Sequence, residues 1–270
     1  MSEVPGGATA HRLERIAVQG MAVIRKWAPA TEVAALSAAQ TIRAHARAIP
    51  ELIETGSDAD GTWFVTPEYR GSPSAVLTSS ALDSLAQLHA HFYGVAADHP
   101  DLPVIDVTWW EALCSHWVGP AIERTAMRHG AGVTERARRV LTSCRTDEAL
   151  AELLARVTPT LLHGDIHAGN VLTDGDRTHL IDWGSARFGT PMLDLLNLVA
   201  PDSPQLRTYL DAYRRYGSRP LDPDEITAGR RWAAVQIPVQ YLPWTLENRN
   251  GGEVTSALAA IERALTEAAC

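Results

Sequence analysis

His163-Gly164-Asp165, with Asn170 shortly after and Asp182 in the run Ile181-Asp182-Trp183-Gly184, places three oxygen-bearing side chains around one short hairpin. That spacing suits a magnesium and phosphate site. Phosphoryl transfer needs a carboxylate near the attacking hydroxyl, hard oxygen ligands for Mg²⁺, and a cation on the same phosphates. Asp165 would meet the first need, Asn170 with Asp182 the second, and Lys26 the third. Lys26 stands out because it is the one lysine among 24 Lys and Arg residues. An ammonium is a compact charge on a flexible stem and a guanidinium a planar fork, so an arginine-rich chain keeps a lysine where the fork does not fit. Strand alternation lets only one of Arg25 and Lys26 face a cleft, and the lone lysine is the choice. A transition-metal reading of His163, Asp165 and His167 is weaker. Alternating side chains in an extended run do not converge on one ion unaided, and no second His or Cys cluster lies nearby. His163 reads instead as a buried histidine that fixes the loop.

The elements that must position these groups follow from periodicity. Residues 11–18 and 21–27 read as strands joined by the turn Gln19-Gly20, and Pro5-Gly6-Gly7 before them can form a loop over what the hairpin covers. After Pro29, residues 31–49 have apolar positions at helical spacing, about four to five turns ending at Pro50. Residues 61–69 predict another strand and 70–74 a linker, closing a small β-rich lobe near residue 70. From residue 74 the pattern is helical: 74–94, 109–117 and 132–157. Residues 171–173 and 178–182 then read as short strands about the turn Asp174-Gly175-Asp176. Helices follow at 204–216, at 224–247 with interruptions at Pro238 and Pro243, and at 254–269.

The 270 residues are 46% hydrophobic and 21% charged, the mix of a folded soluble protein. No run approaches the roughly 18 apolar residues of a membrane span, and MSEVPGGATA lacks the regions of a signal peptide, so a cytoplasmic protein is expected. Cys114, Cys144 and Cys270 are far apart and read as reduced thiols. A net charge of -8 argues against nucleic acid or an anionic membrane as partner. The acidity is local: residues 51–120 hold ten carboxylates against one basic residue, Arg70. This is either a solvated face or a field that draws cationic substrates. Most of the tryptophans are expected in the core, but Trp232, Tyr241 and Trp244, with Gln236 and Glu247, could line a substrate pocket.

HGDIHAGN followed by IDWG resembles the aminoglycoside phosphotransferase and choline kinase family, and the resemblance covers nearly the whole chain. GGATAHRLERIAVQGMAVIRKW is similar to the family's nucleotide loop, paired strands and lysine strand, and TPEYRG to its inter-lobe hinge. FGTPMLDLLNLV is similar to the segment after the metal aspartate, with Asp194 as a structural aspartate. The resemblance implies an α+β, protein-kinase-like fold of two lobes. A small β-rich nucleotide-binding lobe would span 1–70, and a larger, mainly helical catalytic and substrate-binding lobe 71–270. It also implies roles. Asp165 would be the catalytic base or hydroxyl-orienting group, Asn170 and Asp182 Mg²⁺ ligands, and Lys26 the contact to the α- and β-phosphates with Glu32 as its partner. The backbone around Glu68 and Arg70 would face adenine. The implied activity is transfer of the γ-phosphoryl group of ATP or GTP to a hydroxyl of a small molecule. A cationic, aminoglycoside-type or other basic antibiotic is the first expectation, because the acidic stretch suits polycations and compact family members modify antibiotics. The alternatives are a kinase of an endogenous metabolite of choline, homoserine or sugar type, and a nucleotide-binding pseudokinase.

Overall fold

The computed structural model describes residues 2–3, 12–18, 20–217 and 219–269. The expected glycine loop at residues 5–7 lies outside them. In chain order the elements begin with β1 (Ser2–Glu3), β2 (Leu13–Val18), β3 (Met21–Trp27), α1 (Ala30–Ala39), β4 (Glu54–Asp58), β5 (Gly61–Pro67) and β6 (Ser72–Pro73). Next come α2 (Ser79–His91), α3 (Val107–Ala112), α4 (Gly119–Thr146) and α5 (Glu148–Ala155). They continue with β7 (Thr160–Leu162), β8 (Val171–Asp174), β9 (Arg177–Leu180), β10 (Arg187–Gly189), α6 (Met192–Leu195), α7 (Pro204–Tyr216), α8 (Pro223–Asn248) and α9 (Gly251–Ala268). The class is α+β: a small antiparallel sheet, two short β ribbons and a larger helical part. By packing, residues 1–103 with 159–221 form one compact unit, and 104–158 with 222–270 a second.

The first unit holds an antiparallel sheet in the order β1-β2-β3-β5-β4. β2 and β3 pair from Leu13↔Lys26 to Val18↔Met21, and β3 pairs with β5 through Lys26↔Phe64 and Trp27↔Trp63. β4 was not expected, since Glu-Thr-Gly-Ser-Asp has no apolar alternation. Its place comes from β5: Gly56 opposes Trp63, and a side chain at Gly56 would meet the indole at 2.3 Å. Helix α1 buries Glu32, Ala35, Leu36 and Ala39, but stops at Ala39 instead of running to residue 49. Gln40 accounts for the stop. Its Nε2 donates to the carbonyls of Leu36 and Pro50, and its Oε1 accepts from Leu52 N–H, so the chain turns back on itself. Ile42, Ala46 and Ile49 are buried anyway, which extends the helical pattern beyond the helix. In the same unit β8 and β9 form the expected hairpin with β6 on its edge, and the buried β7 pairs with β10.

The second unit is helical. α8 runs unbroken through Pro238 and Pro243, where interruptions were expected. An interior proline costs roughly 3 kcal/mol or more, and the burial of Val235, Val239, Leu242 and Leu246 along the same helix opposes that cost. Asp222 caps its start, accepting from Asp224 N–H at 2.8 Å. α4 has non-helical backbone at Gly130, with φ of 78°, and so consists of two segments meeting at a kink. Among the described residues no helix is long and apolar enough to cross a membrane.

Candidate active site

Three charged side chains meet in the first unit. Lys26 on β3 donates from Nζ to Glu32 Oε1 at 2.8 Å and to Asp182 Oδ1 at 2.6 Å. Glu32, on the first turn of α1, is 1% exposed, whereas Asp182, just beyond β9, is 37% exposed. The buried carboxylate is therefore a fixed anchor, and the outer one faces solvent in part. Glu32 Oε1 also accepts from Trp183 N–H at 3.1 Å, which ties α1 to the segment carrying Asp182. Asp182 has φ of 65°, a left-handed conformation disfavoured for a residue with a side chain.

Arg25 goes elsewhere. Its guanidinium lies 4.5 Å over the ring of Trp63, so alternation along β3 gives one cation to the acidic pair and the other to an aromatic face. The two positions should respond differently to truncation. Lys26→Ala strands the buried Glu32 carboxylate and should cost about 3–5 kcal/mol. Arg25→Ala removes a cation–π contact of about 0.5–1 kcal/mol. Urea midpoints of the two variants should show the larger loss for Lys26→Ala.

The second cluster lies on the loop between β7 and β8. Asn170 Nδ2 donates to the Asp165 carbonyl at 2.9 Å and to Asp165 Oδ2 at 3.3 Å, leaving its amide oxygen as its remaining polar group. His167 Nε2 lies 3.6 Å from Asp165 Oδ2, while its Nδ1 accepts from Gly169 N–H. Two hydrogen bonds join this loop to the segment bearing Asp182. Ile181 N–H donates to the Asn170 carbonyl, and His163 Nε2 donates to the Ile181 carbonyl, both at 2.9 Å. His163 is fully buried. Among the described residues no three His, Cys, Asp or Glu side chains group in a way that could hold a metal.

Beneath this loop Asp194, from α6, accepts from the backbone N–H of His163 at 2.7 Å and of Gly164 at 2.8 Å. His89 Nε2 is 3.2 Å from the same carboxylate. Burial works against the charge of Asp194, but the His89 hydrogen bond, the two neighbouring imidazoles and the Gly164 N–H outweigh it, and its pKa is lowered. Gly164 has φ of 83°, and a side chain there would come within 2.1 Å of the Ser185 carbonyl oxygen, so only glycine fits. His89 and its partner Tyr209 escaped the sequence reading. The one available signal was a histidine beside the apolar positions of α2, at Leu85, Ala86 and Leu88.

Glu68 carries a salt bridge from Arg15 Nε at 3.0 Å, and that hydrogen bond lowers its pKa despite some desolvation; Arg70 is exposed. Between them Tyr69 accepts from Glu51 N–H and stacks on His179 at 4.0 Å, fixing the strand exit to the β8–β9 hairpin. In the second unit Trp232 donates to Gln236 Oε1, and both are fully buried core residues. Tyr241 is half-buried, Trp244 is exposed beneath the Arg249 guanidinium, and Glu247 pairs with Arg124. Most of the acidic stretch is engaged within the protein. Glu51, Asp60, Glu68, Asp83 and Glu111 pair with Arg43, Arg12, Arg15, Arg215 and Arg145, Asp58 accepts from Trp27, and Asp106 caps α3.

Residues 1–231 match the family model described as the phosphotransferase enzyme family. Among curated proteins, stress response kinase A of Shigella flexneri is 33% identical over 111 residues, 38% of this chain and 33% of that protein. The same protein of Escherichia coli strain K12 is 34% identical over 109 residues, 37% of this chain and 32% of that protein. The chain thus aligns with about a third of the length of these relatives. Among solved structures, aminoglycoside phosphotransferase APH(4)-Ia in ternary complex with ADP and hygromycin B, a thermostable mutant, superposes with a TM-score of 0.58 at 18% identity, covering 100% of this chain and 94% of that one. Spectinomycin phosphotransferase APH(9)-Ia in complex with ADP and spectinomycin gives 0.57 at 13% identity, covering 100% and 92%. The macrolide 2'-phosphotransferase MphH from Brachybacterium faecium gives 0.53 at 19% identity, covering 96% and 90%. At these identities the structures establish the fold.

Proposed function

Because the chain belongs to the phosphotransferase enzyme family, we propose that it transfers the γ-phosphoryl group of ATP or GTP to a hydroxyl of a small molecule, with Asp165 facing that hydroxyl. The observation that carries this reading is the joining of two clusters by one backbone hydrogen bond and the His163 side chain: Lys26, Glu32 and Asp182 on one side, Asp165 and Asn170 on the other. In it, Lys26 neutralises the donor phosphates, held in reach by the buried Glu32. Asp165 orients the acceptor hydroxyl and takes its proton as the new P–O bond forms and the β–γ bridge of the donor breaks. The carboxylate of Asp182 and the amide oxygen of Asn170 form the sparse oxygen set that Mg²⁺ takes when phosphates and water complete its shell. Mg²⁺ held there would neutralise charge on the phosphates. Asp182→Ala should therefore weaken Mg-ATP binding at least about tenfold by calorimetry, as loss of a metal-supporting group does. Unchanged affinity would remove Asp182 from the metal site.

For the acceptor we propose a cationic antibiotic of aminoglycoside or other basic type. The support is that the solved relatives include proteins crystallised with hygromycin B and spectinomycin. One observation favours a second reading, an endogenous metabolite of choline, homoserine or sugar type. Arginine partners engage Glu51, Asp60, Glu68, Asp83 and Glu111 of the acidic stretch, which weakens the field available to steer a polycation. The test is ADP and GDP release with Mg²⁺ against aminoglycosides, basic peptide antibiotics, macrolides, choline, homoserine and sugars. Turnover with a basic antibiotic supports the first reading, and turnover with a metabolite alone replaces it with the second. Nucleotide binding without turnover on any acceptor would favour a pseudokinase.

A further inference from the structure

We propose, resting on the reading of Asp165 as the hydroxyl-facing group, that Tyr209 is a positioning residue: its phenol selects the tautomer of His89 with which Asp194 holds the backbone beside Asp165. The contacts form one line. Tyr209 on α7 lies with its hydroxyl 2.8 Å from His89 Nδ1, and His89 Nε2 lies 3.2 Å from Asp194 Oδ2. Asp194 in turn accepts from the N–H groups of His163 and Gly164, immediately before Asp165. Tyr209, His89 and Asp194 are each 0% exposed, so water does not substitute for any of these bonds.

The chemistry of the three groups fixes the proton positions. An ionised carboxylate only accepts, so the His89 nitrogen facing Asp194 must carry a proton. The phenol proton needs an acceptor in a site shut off from solvent, and Nδ1 is the atom within reach. One arrangement satisfies both demands: a neutral imidazole protonated at Nε2, with Tyr209 donating to Nδ1. The other neutral tautomer would put an imidazole lone pair against the carboxylate and leave the phenol proton facing an N–H. Removing the phenol hydroxyl removes this selection. Asp194 then grips Gly164 less strictly, and a small displacement of a reacting group costs rate. Lys26, Glu32 and Asp182 sit on other segments, and Asn170, at the far end of the loop, is tied by its own carbonyl to Ile181 N–H, so nucleotide binding should change far less than kcat.

The experiment uses the 270-residue chain with ¹⁵N-labelled histidine and long-range ¹H–¹⁵N spectra. In the wild type His89 is expected as the neutral Nε2–H form; an imidazolium or an Nδ1–H form overturns the proposal. Tyr209→Phe keeps the ring and deletes the hydroxyl. It should lower kcat for Mg²⁺-dependent ADP release about ten- to a hundredfold, leave KM for ATP within about twofold, and mix the His89 tautomers. Wild-type kcat in folded Tyr209→Phe overturns it too. Thr160→Val is the control, because Thr160 donates to the His89 carbonyl at 2.7 Å from an equally buried position outside the tautomer line. It should lower stability and leave kcat unchanged. An equal fall of kcat in both variants would mean general loosening and would overturn the proposal. Should Tyr209→Phe fail to fold, the wild-type tautomer decides. A wild type without nucleotide turnover would sink the functional reading, whereas the spectrum tests the tautomer regardless.

Discussion

Asp165→Ala is expected to lower phosphoryl transfer about 10²–10⁴-fold, the usual worth of a positioned acid or base, while Mg-nucleotide affinity stays within about twofold. The separation follows from where the group acts. A carboxylate that takes a proton as the acceptor attacks contributes in the transition state and little to ground-state binding of the donor. The nucleotide contacts assigned above belong to Lys26 and Asp182, on β3 and beyond β9, and to Asn170, which stays tied to the Asp165 carbonyl and to Ile181 N–H when the carboxylate is removed. Folding should survive. The Asp165 side chain is 26% exposed, and Asn170 keeps its stronger bond to the Asp165 carbonyl at 2.9 Å when the carboxylate is gone. A loss of stability of about 1 kcal/mol or less is anticipated. Single-turnover transfer and calorimetric titration of Mg-ATP on the same preparation separate the two effects. Near-normal transfer would remove Asp165 from the chemistry, and a parallel collapse of affinity would place it in nucleotide binding instead.

What could be read from the sequence is what is local. β2 and β3 are adjacent in sequence and pair up to Val18↔Met21, and alternation along β3 already divides Arg25 from Lys26. Asp165 and Asn170 lie close enough in sequence for one loop to bring them into hydrogen-bonding contact. Long-range contacts were not legible. Gln40 ends α1 by reaching the backbone around Pro50, a capture that periodicity does not register. β4 has no strand signal of its own and is drawn in by Trp63. Trp232 and Gln236 looked like pocket residues by type, yet both are buried, with the indole N–H donating to Gln236 Oε1 and the Gln236 amide donating on to Gln240. The acidic stretch looked like a field because its arginine partners lie outside it in sequence; Asp83, for example, meets Arg215 across 132 positions. His89 is separated from Asp194 by 105 positions and from Tyr209 by 120, so neither partner was visible from α2.

The same buried network makes Asp194 the position whose loss should cost most in stability. Asp194→Ala leaves the N–H groups of His163 and Gly164 and the His89 Nε2–H without an acceptor, in a place that is 0% exposed. Each unsatisfied buried group costs about 1–3 kcal/mol. After partial relaxation a loss of about 3–6 kcal/mol is expected, much of the 5–15 kcal/mol that holds a typical domain folded. Asp194→Asn should fall between, because its amide oxygen can serve one N–H while its NH₂ group faces another donor. Acid sharpens the comparison. The pKa of Asp194 is lowered in the folded protein, so the stability from its charge is fully present above the unfolded aspartate value and is lost as pH falls through the folded one. The gap between wild type and Asp194→Asn should therefore be constant at neutral pH and narrow below about pH 4. Urea unfolding of all three proteins from pH 7 downward measures it. An Asp194→Ala protein within about 1 kcal/mol of wild type would mean that the loop bearing Asp165 is held by something other than this carboxylate.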